Sequence, residues 1–284
     1  MSAASDEAKS VILVTGATGN VGSNVVSGLL DIGAAVRALV RDAAAARLPA
    51  GADVVQGDLT ASDTIEAAIK GVDTVFLLWP YFDSEAAAPV VEALAGHARR
   101  VVYLSSENVR EDTETYRGSL EWRIERSALE WTFLRPTGFA SNTLLWADQI
   151  RRGDVVRWPF AGATRSLIHE RDIADVAVRA LTDEALVGAR PILSGPEALT
   201  QVEQVQALGE GIGRQLRFEE ISRDTARAQL VETFGDASFA DTALDAWAAM
   251  VDEPEVVTST VPEITGSPAR SLGRWARDHA EDFR

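Results

Sequence analysis

The residues with the clearest chemistry are Thr15-Gly16-Ala17-Thr18-Gly19-Asn20-Val21-Gly22. They follow a continuous apolar run, Val11–Thr15, and open a stretch of helical periodicity from Val21 to Asp31. In such a turn the first glycine permits the tight bend. The second lets the backbone approach a phosphate with no Cβ in the way, and the third lets the helix pack closely on the strand. The free N–H groups and the positive end of the helix dipole can then hold a diphosphate. The glycines of Gly16, Gly19 and Gly22 are spaced three and three, not two and three as in the familiar dehydrogenase fingerprint, and no Gly-Lys-Ser/Thr follows. A P-loop is therefore excluded. An ordinary glycine-rich turn is the alternative reading, and the strand before it and helix after it favour the dinucleotide.

The end of the second strand selects the nucleotide. An acid there usually binds the adenosine ribose hydroxyls, whereas a guanidinium grips a 2′-phosphate. The strand ends Leu39-Val40-Arg41-Asp42. The arginine comes first, which favours NADP(H) over NAD(H); a solvated Arg41–Asp42 charge pair is the other reading. Gly57-Asp58-Leu59 closes the third strand. Asp58 either accepts from the adenine amino group or caps the next turn, and the two roles are compatible.

The elements that must position these residues alternate regularly. Strands are expected at Ala35–Val40, Asp53–Gln56, Thr74–Trp79, Arg100–Ser105 and Trp131–Arg135. Helices are expected from Ser62 as cap to Lys70, over Glu85–Ala98 and over Thr115–Leu129. This rhythm predicts an α/β fold, a Rossmann-type doubly wound parallel sheet with right-handed crossovers. After Pro136 the pattern loosens. Thr143–Arg152, Arg171–Thr182, Thr200–Gly211, Arg223–Phe234, Asp241–Val251 and Pro268–Ala280 read as helical, with strands at Arg165–Ile168 and Pro191–Ser194. The expected division is 1–136, the NAD(P)-binding core, and 137–284. The second region completes the sheet and forms a small, mostly helical C-terminal lobe for substrate, with a cleft beside the sheet as the ligand site.

Composition narrows the partners. The chain has 284 residues, 46% of them hydrophobic, and a formal net charge of −16. That charge argues against nucleic acid or an anionic membrane as a partner. There is no cysteine, so disulfides, thiol nucleophiles and thiolate metal sites are excluded. His97, His169 and His279 lack zinc-ligand spacing, and no metal site is expected. His97 and His279 read as helix-surface residues and His169 as a local hydrogen-bonding group. Met1–Ser10 does not read as a signal peptide, and no apolar run approaches the roughly 18–20 residues of a membrane span. A soluble, cytoplasmic protein acting on a small molecule is expected; a homodimer or protein partner is left open.

Taken together, Thr15–Gly22, Val36–Asp42 and Gly57–Leu59 resemble the atypical short-chain dehydrogenase/reductases, and within them the NmrA-like and triphenylmethane-reductase-like proteins. Trp131-Thr132-Phe133-Leu134-Arg135-Pro136, Asp172–Ala177, Gly195–Thr200 and Gly266–His279 extend the resemblance over nearly the whole chain. It implies an NAD(P)-binding sheet domain with a small C-terminal lobe. Some members reduce quinones, dyes and other small molecules; others bind NADP as redox-sensing regulators. Residue by residue, it implies cofactor contacts at Gly16, Thr18, Gly19, Asn20, Val21, Gly22, Arg41, Asp58, Leu59, Leu78 and Trp79, with Pro136 and Phe139 flanking the nicotinamide.

The catalytic pattern departs from the wider group. Short-chain dehydrogenases usually carry Tyr-x-x-x-Lys, in which the lysine lowers the tyrosine pKa. Here Tyr116 is followed four positions later by Leu120. Arg117 is the nearest base, but a guanidinium cannot shuttle protons; Glu121 is the nearest acid. Tyr116 is a candidate proton donor or a packed helix residue. Ser105 and Ser106 either hydrogen-bond a substrate carbonyl or cap the strand end, and Glu107 and Arg110 lie in the loop beyond. The aromatics of Trp79-Pro80-Tyr81-Phe82 suit a flat apolar substrate, Tyr81 and Phe82 above all, with Trp146, Trp158 and Phe160 added from the lobe. The leading expectation is hydride transfer from NADPH to a flat conjugated acceptor: a quinone, enone, imine or dye. A non-catalytic NADP sensor, or an isomerase or cyclase that retains the cofactor, is the alternative.

Overall fold

In the computed structural model, which describes residues 10–81 and 84–284, the apolar run becomes β1 (Val11–Val14), with Leu13 and Val14 fully buried. The chain continues through α1 (Asn20–Asp31), β2 (Ala35–Val40), β3 (Asp53–Gln56), α2 (Ser62–Ile69), β4 (Val72–Leu77), α3 (Ala88–His97) and β5 (Arg100–Leu104). Then come α4 (Leu120–Glu125), β6 (Glu130–Pro136), α5 (Ala147–Arg152), β7 (Val155–Trp158), β8 (Thr164–Arg165), α6 (Glu170–Thr182) and β9 (Ile192–Leu193). The remainder forms β10 (Leu199–Thr200), α7 (Gln201–Ile212), β11 (Arg217–Glu220), α8 (Arg223–Phe234), α9 (Ala237–Asp252), α10 (Thr260–Thr265) and α11 (Leu272–Asp278).

Seven strands make one sheet in the order β3-β2-β1-β4-β5-β6-β9, and every pair among β1 to β6 is parallel. The order reverses between β1 and β4, which creates the crevice beyond the strand ends where doubly wound sheets bind their ligands. The fold is thus a Rossmann-type doubly wound α/β sheet followed by a largely helical C-terminal part.

Two compact units result. The first holds the residues up to Pro136 together with Ile173–Ile192; the second holds Thr137–Asp172 and Leu193–Arg284. The first unit is therefore discontinuous in sequence. The returning segment supplies Ile173, Val176, Ala177 and Ala180, all buried, and Val178 sits so close to α1 that a Cβ on Gly28 would lie 3.0 Å from it. The second unit has its own core, with Trp275 fully buried among Ile150, Val156, Leu208 and Leu244. No helix among the described residues is long and apolar enough to cross a membrane.

Several local expectations change. The helix read over Thr115–Leu129 is a 3-10 turn, Glu114–Gly118, and the separate short α4. The break follows from Ser119: its backbone is extended and its hydroxyl accepts from the Trp122 N–H at 3.2 Å, capping a new helix. α2 has Ala61 at its N-cap, so Ser62 lies inside the first turn. α9 begins earlier than Asp241 because the Asp236 carboxylate caps it through the N–H groups of Ser238 and Phe239. The parallel pair of β7 and β11 was not anticipated; Arg217–Glu220 is largely exposed and lacks the apolar alternation that marks a strand.

Candidate dinucleotide site

The site lies where β1 and β4 end. Thr15 is almost fully buried, and its hydroxyl accepts from the Leu78 N–H at 2.8 Å and donates to the Leu78 carbonyl at 3.3 Å. This ties the two strand ends together and fixes where the turn begins. Gly16 follows with φ of +62°, in the left-handed region, and a Cβ there would press on the Leu78 side chain at 3.2 Å. The Gly19 N–H closes the turn on the Gly16 carbonyl at 2.9 Å. At Gly22 a Cβ would come within 2.1 Å of that same carbonyl oxygen, a backbone atom that cannot yield. Gly16 and Gly22 thus each have a steric reason of their own.

Gly19 is the N-cap of α1 and offers no side-chain acceptor, and the first turn carries no acid. The terminal N–H groups and the positive helix end are left for an anion. A cleft of about 400 Å³ opens at this point. Its walls include Thr15, Gly16, Thr18 and Gly19 from the turn, Leu39, Val40 and Arg41 from the β2 end, and Gly57, Asp58 and Leu59 beyond β3. Leu78, Pro80 and Tyr81 complete it beyond β4. These residues fit a dinucleotide: an unobstructed backbone cradle for the diphosphate, an apolar slot between strand ends for a base, and a guanidinium at the rim.

The charges at the β2 end are arranged unequally. One oxygen of the Asp42 carboxylate is held by its own loop, accepting from the Ala44 and Ala45 N–H groups at 2.9 and 3.1 Å. Arg41 is exposed and borders both the main cleft and an adjoining hollow lined also by Thr18 and Arg47. Arg47 was missed in the sequence because it ends an alanine run with no pattern of its own. Asp58 caps its turn: one carboxylate oxygen accepts from both the N–H and the hydroxyl of Thr60, each at 2.8 Å. Those bonds, helped by the Arg41 charge, hold its carboxyl below the ordinary value.

The other expected cofactor residues serve the site differently. Asn20 is the first residue of α1, and Val21 points into the core at 4% exposure. Trp79 packs behind the cleft, edge-on to Tyr81 at 5.2 Å. Pro136 is the buried last residue of β6, its carbonyl accepting from the Glu107 N–H at 3.1 Å. Phe139 lies in the second unit, bridged to Ile168.

The candidate acid–base residues do not gather at the cleft. Tyr116 is buried, and its hydroxyl donates to Glu125 at 2.9 Å. Burial, with Glu125 adding to it, raises its pKa against the opposing effect of Arg190. Arg190 also binds Glu125, at 2.6 Å, and stacks over the Trp131 ring at 4.4 Å. Glu121, the nearest acid in the sequence, is 1% exposed and receives Arg135 in a two-pronged ion pair, with Nε at 3.0 Å. Ser105 closes the β5 end, its N–H on the Leu134 carbonyl at 2.8 Å, and Ser106 accepts from the Asn108 N–H at 3.2 Å. None of these lines the dinucleotide cleft.

Of the expected substrate aromatics, Tyr81 is exposed and borders the cleft. Phe82 lies outside the described residues. Trp146 and Trp158 are 3% and 7% exposed, pack edge-to-face in the second unit's core and line a small hollow there with Arg165 and Trp247. Phe160 packs against the same core with φ of 58°, the sole non-glycine residue of positive φ among those described. His279, read as a surface residue, instead bonds Glu170 at 2.7 Å and stacks on Trp275. His169 is buried beside it, 3.4 Å from Glu170.

Comparison with known proteins agrees with this geometry. The model of the NmrA-like family matches residues 8–244. The chain is 38% identical over 281 residues to the (4-alkanoyl-5-oxo-2,5-dihydrofuran-3-yl)methyl phosphate reductase of Streptomyces griseus, covering 96% of this chain and 99% of that one. It is 34% identical to the NAD(P)H azoreductase of Xenophilus azovorans, covering 96% and 99%. Among solved structures, the fold superposes with a TM-score of 0.77 on an NADPH-dependent quinone oxidoreductase of Escherichia coli, at 22% identity, covering 94% of this chain and 98% of that one. The triphenylmethane reductase of Citrobacter sp. gives 0.77 at 21% identity, covering 95% and 99%. A glycine turn in the right steric setting and a family match that spans most of the sequence lead to one assignment: the chain belongs to the NmrA-like family.

Proposed function

We propose that this chain is an NADPH-dependent reductase of flat, conjugated small molecules: quinones, enones, imines or dyes. The observation that carries the reading is the cradle at the β1/β4 switch point, with Arg41 on its rim and Asp42 turned into its own loop. A bound nicotinamide supplies hydride. The N–H groups at the start of α1 and the backbone of Gly16 and Gly19 hold the diphosphate. Arg41, with Arg47 across the adjoining hollow, takes the 2′-phosphate, while one oxygen of Asp42 in the same hollow is held by its own loop. The buried Tyr116 hydroxyl, already on Glu125, supports acceptors that need little acid catalysis, which electron-poor conjugated systems satisfy. Two relatives named for an azo substrate and an unsaturated lactone support the same class. The acidic, cysteine-free composition supports a cytoplasmic location.

The test is a titration with NADPH and NADH, with Arg41→Ala alongside, followed by a panel of quinones, enones and azo dyes at the reduced-nicotinamide absorbance band. NADPH is expected to bind at least ~10-fold more tightly than NADH. Arg41→Ala should remove that margin, as loss of a charge-assisted hydrogen bond of about 1.5–3 kcal/mol requires, and leave NADH unchanged. Tight NADPH binding with no oxidation by any acceptor would hand the site to the sensor or isomerase reading.

A further inference from the structure

The second unit contains an aromatic cleft of about 550 Å³. Leu145, Phe234, Phe239 and Trp247 are its apolar walls. Phe234 and Phe239 stand 45% and 38% exposed, edge-to-face with ring centroids 5.0 Å apart. They flank the turn between α8 and α9, and that turn is fixed: Gly235 takes the left-handed conformation that ends α8, and Asp236 caps α9. Two phenylalanines are thus held part-exposed at the mouth of a hollow, and a flat apolar guest that covers them removes that apolar surface from water.

Polarity is concentrated at one point. A niche of about 20 Å³ shares Asn142, Leu145, Arg165 and Trp247 with the cleft and is bordered by Gln201. That is room for about one water-sized group. Gln201 is 3% exposed. Its backbone N–H donates to the Ala163 carbonyl at 3.0 Å, but its side-chain amide has no hydrogen-bond partner among the described residues. That amide borders the niche and is free to donate to a group that enters there. Arg165 brings no net charge, because Nε and Nη2 both donate to Glu255 at 3.0 Å. The niche therefore suits a neutral acceptor oxygen better than a carboxylate or phosphate.

We propose that this cleft binds the planar ring of the acceptor and that one carbonyl oxygen of that ring enters the niche and accepts from the Gln201 amide. This rests on the reductase reading and narrows its substrates to conjugated carbonyl compounds. Gln201 is then a specificity-determining residue and the Phe234–Phe239 pair a ring clamp.

The test uses the full chain with NADP+ bound, where no hydride is available, and measures menadione binding by calorimetry. Crystal violet, aromatic and free of carbonyls, is the control. Gln201→Leu keeps the bulk and removes the donors; menadione should bind it about 10-fold more weakly, the value of one net hydrogen bond near 1.4 kcal/mol. Crystal violet and NADPH affinities should not move. In turnover, KM for menadione should rise by a similar factor with kcat little changed. Phe239→Ala, at the exposed mouth, should weaken both ligands. If Gln201→Leu does not fold, Gln201→Glu replaces it with the same expected loss. Menadione that binds Gln201→Leu as it binds the parent, or that does not bind the parent at all, overturns the assignment. The reductase reading fails separately: a parent protein that binds menadione through Gln201 but never oxidises NADPH keeps the ring site and loses the activity. One that oxidises NADPH with no dependence on Gln201 does the reverse.

Discussion

Glu170 shows how far a side chain's surroundings can move its chemistry. Burial alone would raise its carboxyl; the bonds from His169, the backbone and His279 more than offset this and hold it at about 2. The Trp275 indole N–H adds a further donor at 2.9 Å. A carboxyl depressed in the folded state stabilises the fold fully above its unfolded value near 4.5, and that contribution drains away as the pH falls toward about 2. In urea titrations the parent protein should therefore lose on the order of 2–3 kcal/mol more between pH 4.5 and 2 than Glu170→Gln does; equal losses would refute this account. The glycine motif was legible because sterics act over a few neighbouring residues: the Gly22 requirement arises from a carbonyl six positions away. The Glu170 cluster was not, since His279 and Trp275 reach it from more than a hundred residues along the chain. Nor could spacing reveal that one oxygen of Asp42 would be taken up by the Ala44 and Ala45 N–H groups.

At the scale of elements, α4 and β6 are locked by the Glu121–Arg135 pair, with Glu111 on the same guanidinium at 2.9 Å. Removing one member of a buried pair strands the other charge, at a cost of about 3–5 kcal/mol, whereas replacing both by apolar groups is often nearly neutral. Because Glu111 stays on the guanidinium, Glu121→Ala should lower the unfolding free energy by less than that, about 2–3 kcal/mol, and Glu121→Leu with Arg135→Met should recover most of it. If the double variant is as unstable as the single one, the pair is not the source of the loss. The central strands of the sheet were readable because a strand buried on both faces must be a continuous apolar run. The split of the expected Thr115–Leu129 helix was harder to see: the Ser119 cap competes with helix continuation at energies of about 1 kcal/mol, too small to mark a boundary from sequence alone. β11 was invisible for another reason, since its residues are mostly polar and only its partner β7 makes it a strand.

For the whole molecule the decisive feature is that the first unit is finished by a segment lying far along the chain. β6 gives the N–H groups of Phe133 and Arg135 to the carbonyls of Ala189 and Pro191, and α6 covers α1. A fragment ending at Pro136 should therefore neither melt cooperatively nor bind NADPH. A chain ending at Ile192 in which a short Gly-Ser linker replaces Thr137–Asp172 should do both, by circular dichroism and nucleotide titration. A Pro136 fragment that binds NADPH would show that the returning segment is dispensable. The same arrangement sets an order of events during synthesis. Residues 137–192, fifty-six of them, must be made before the sheet can close. At about 5–20 residues per second that takes roughly three to eleven seconds. Throughout that interval the nascent chain presents β6, with Trp131, Phe133 and Leu134, as an open edge to its neighbours on the same messenger. The short stretch from Ala189 to Leu193, the last part of the sheet to be made, ends that exposure.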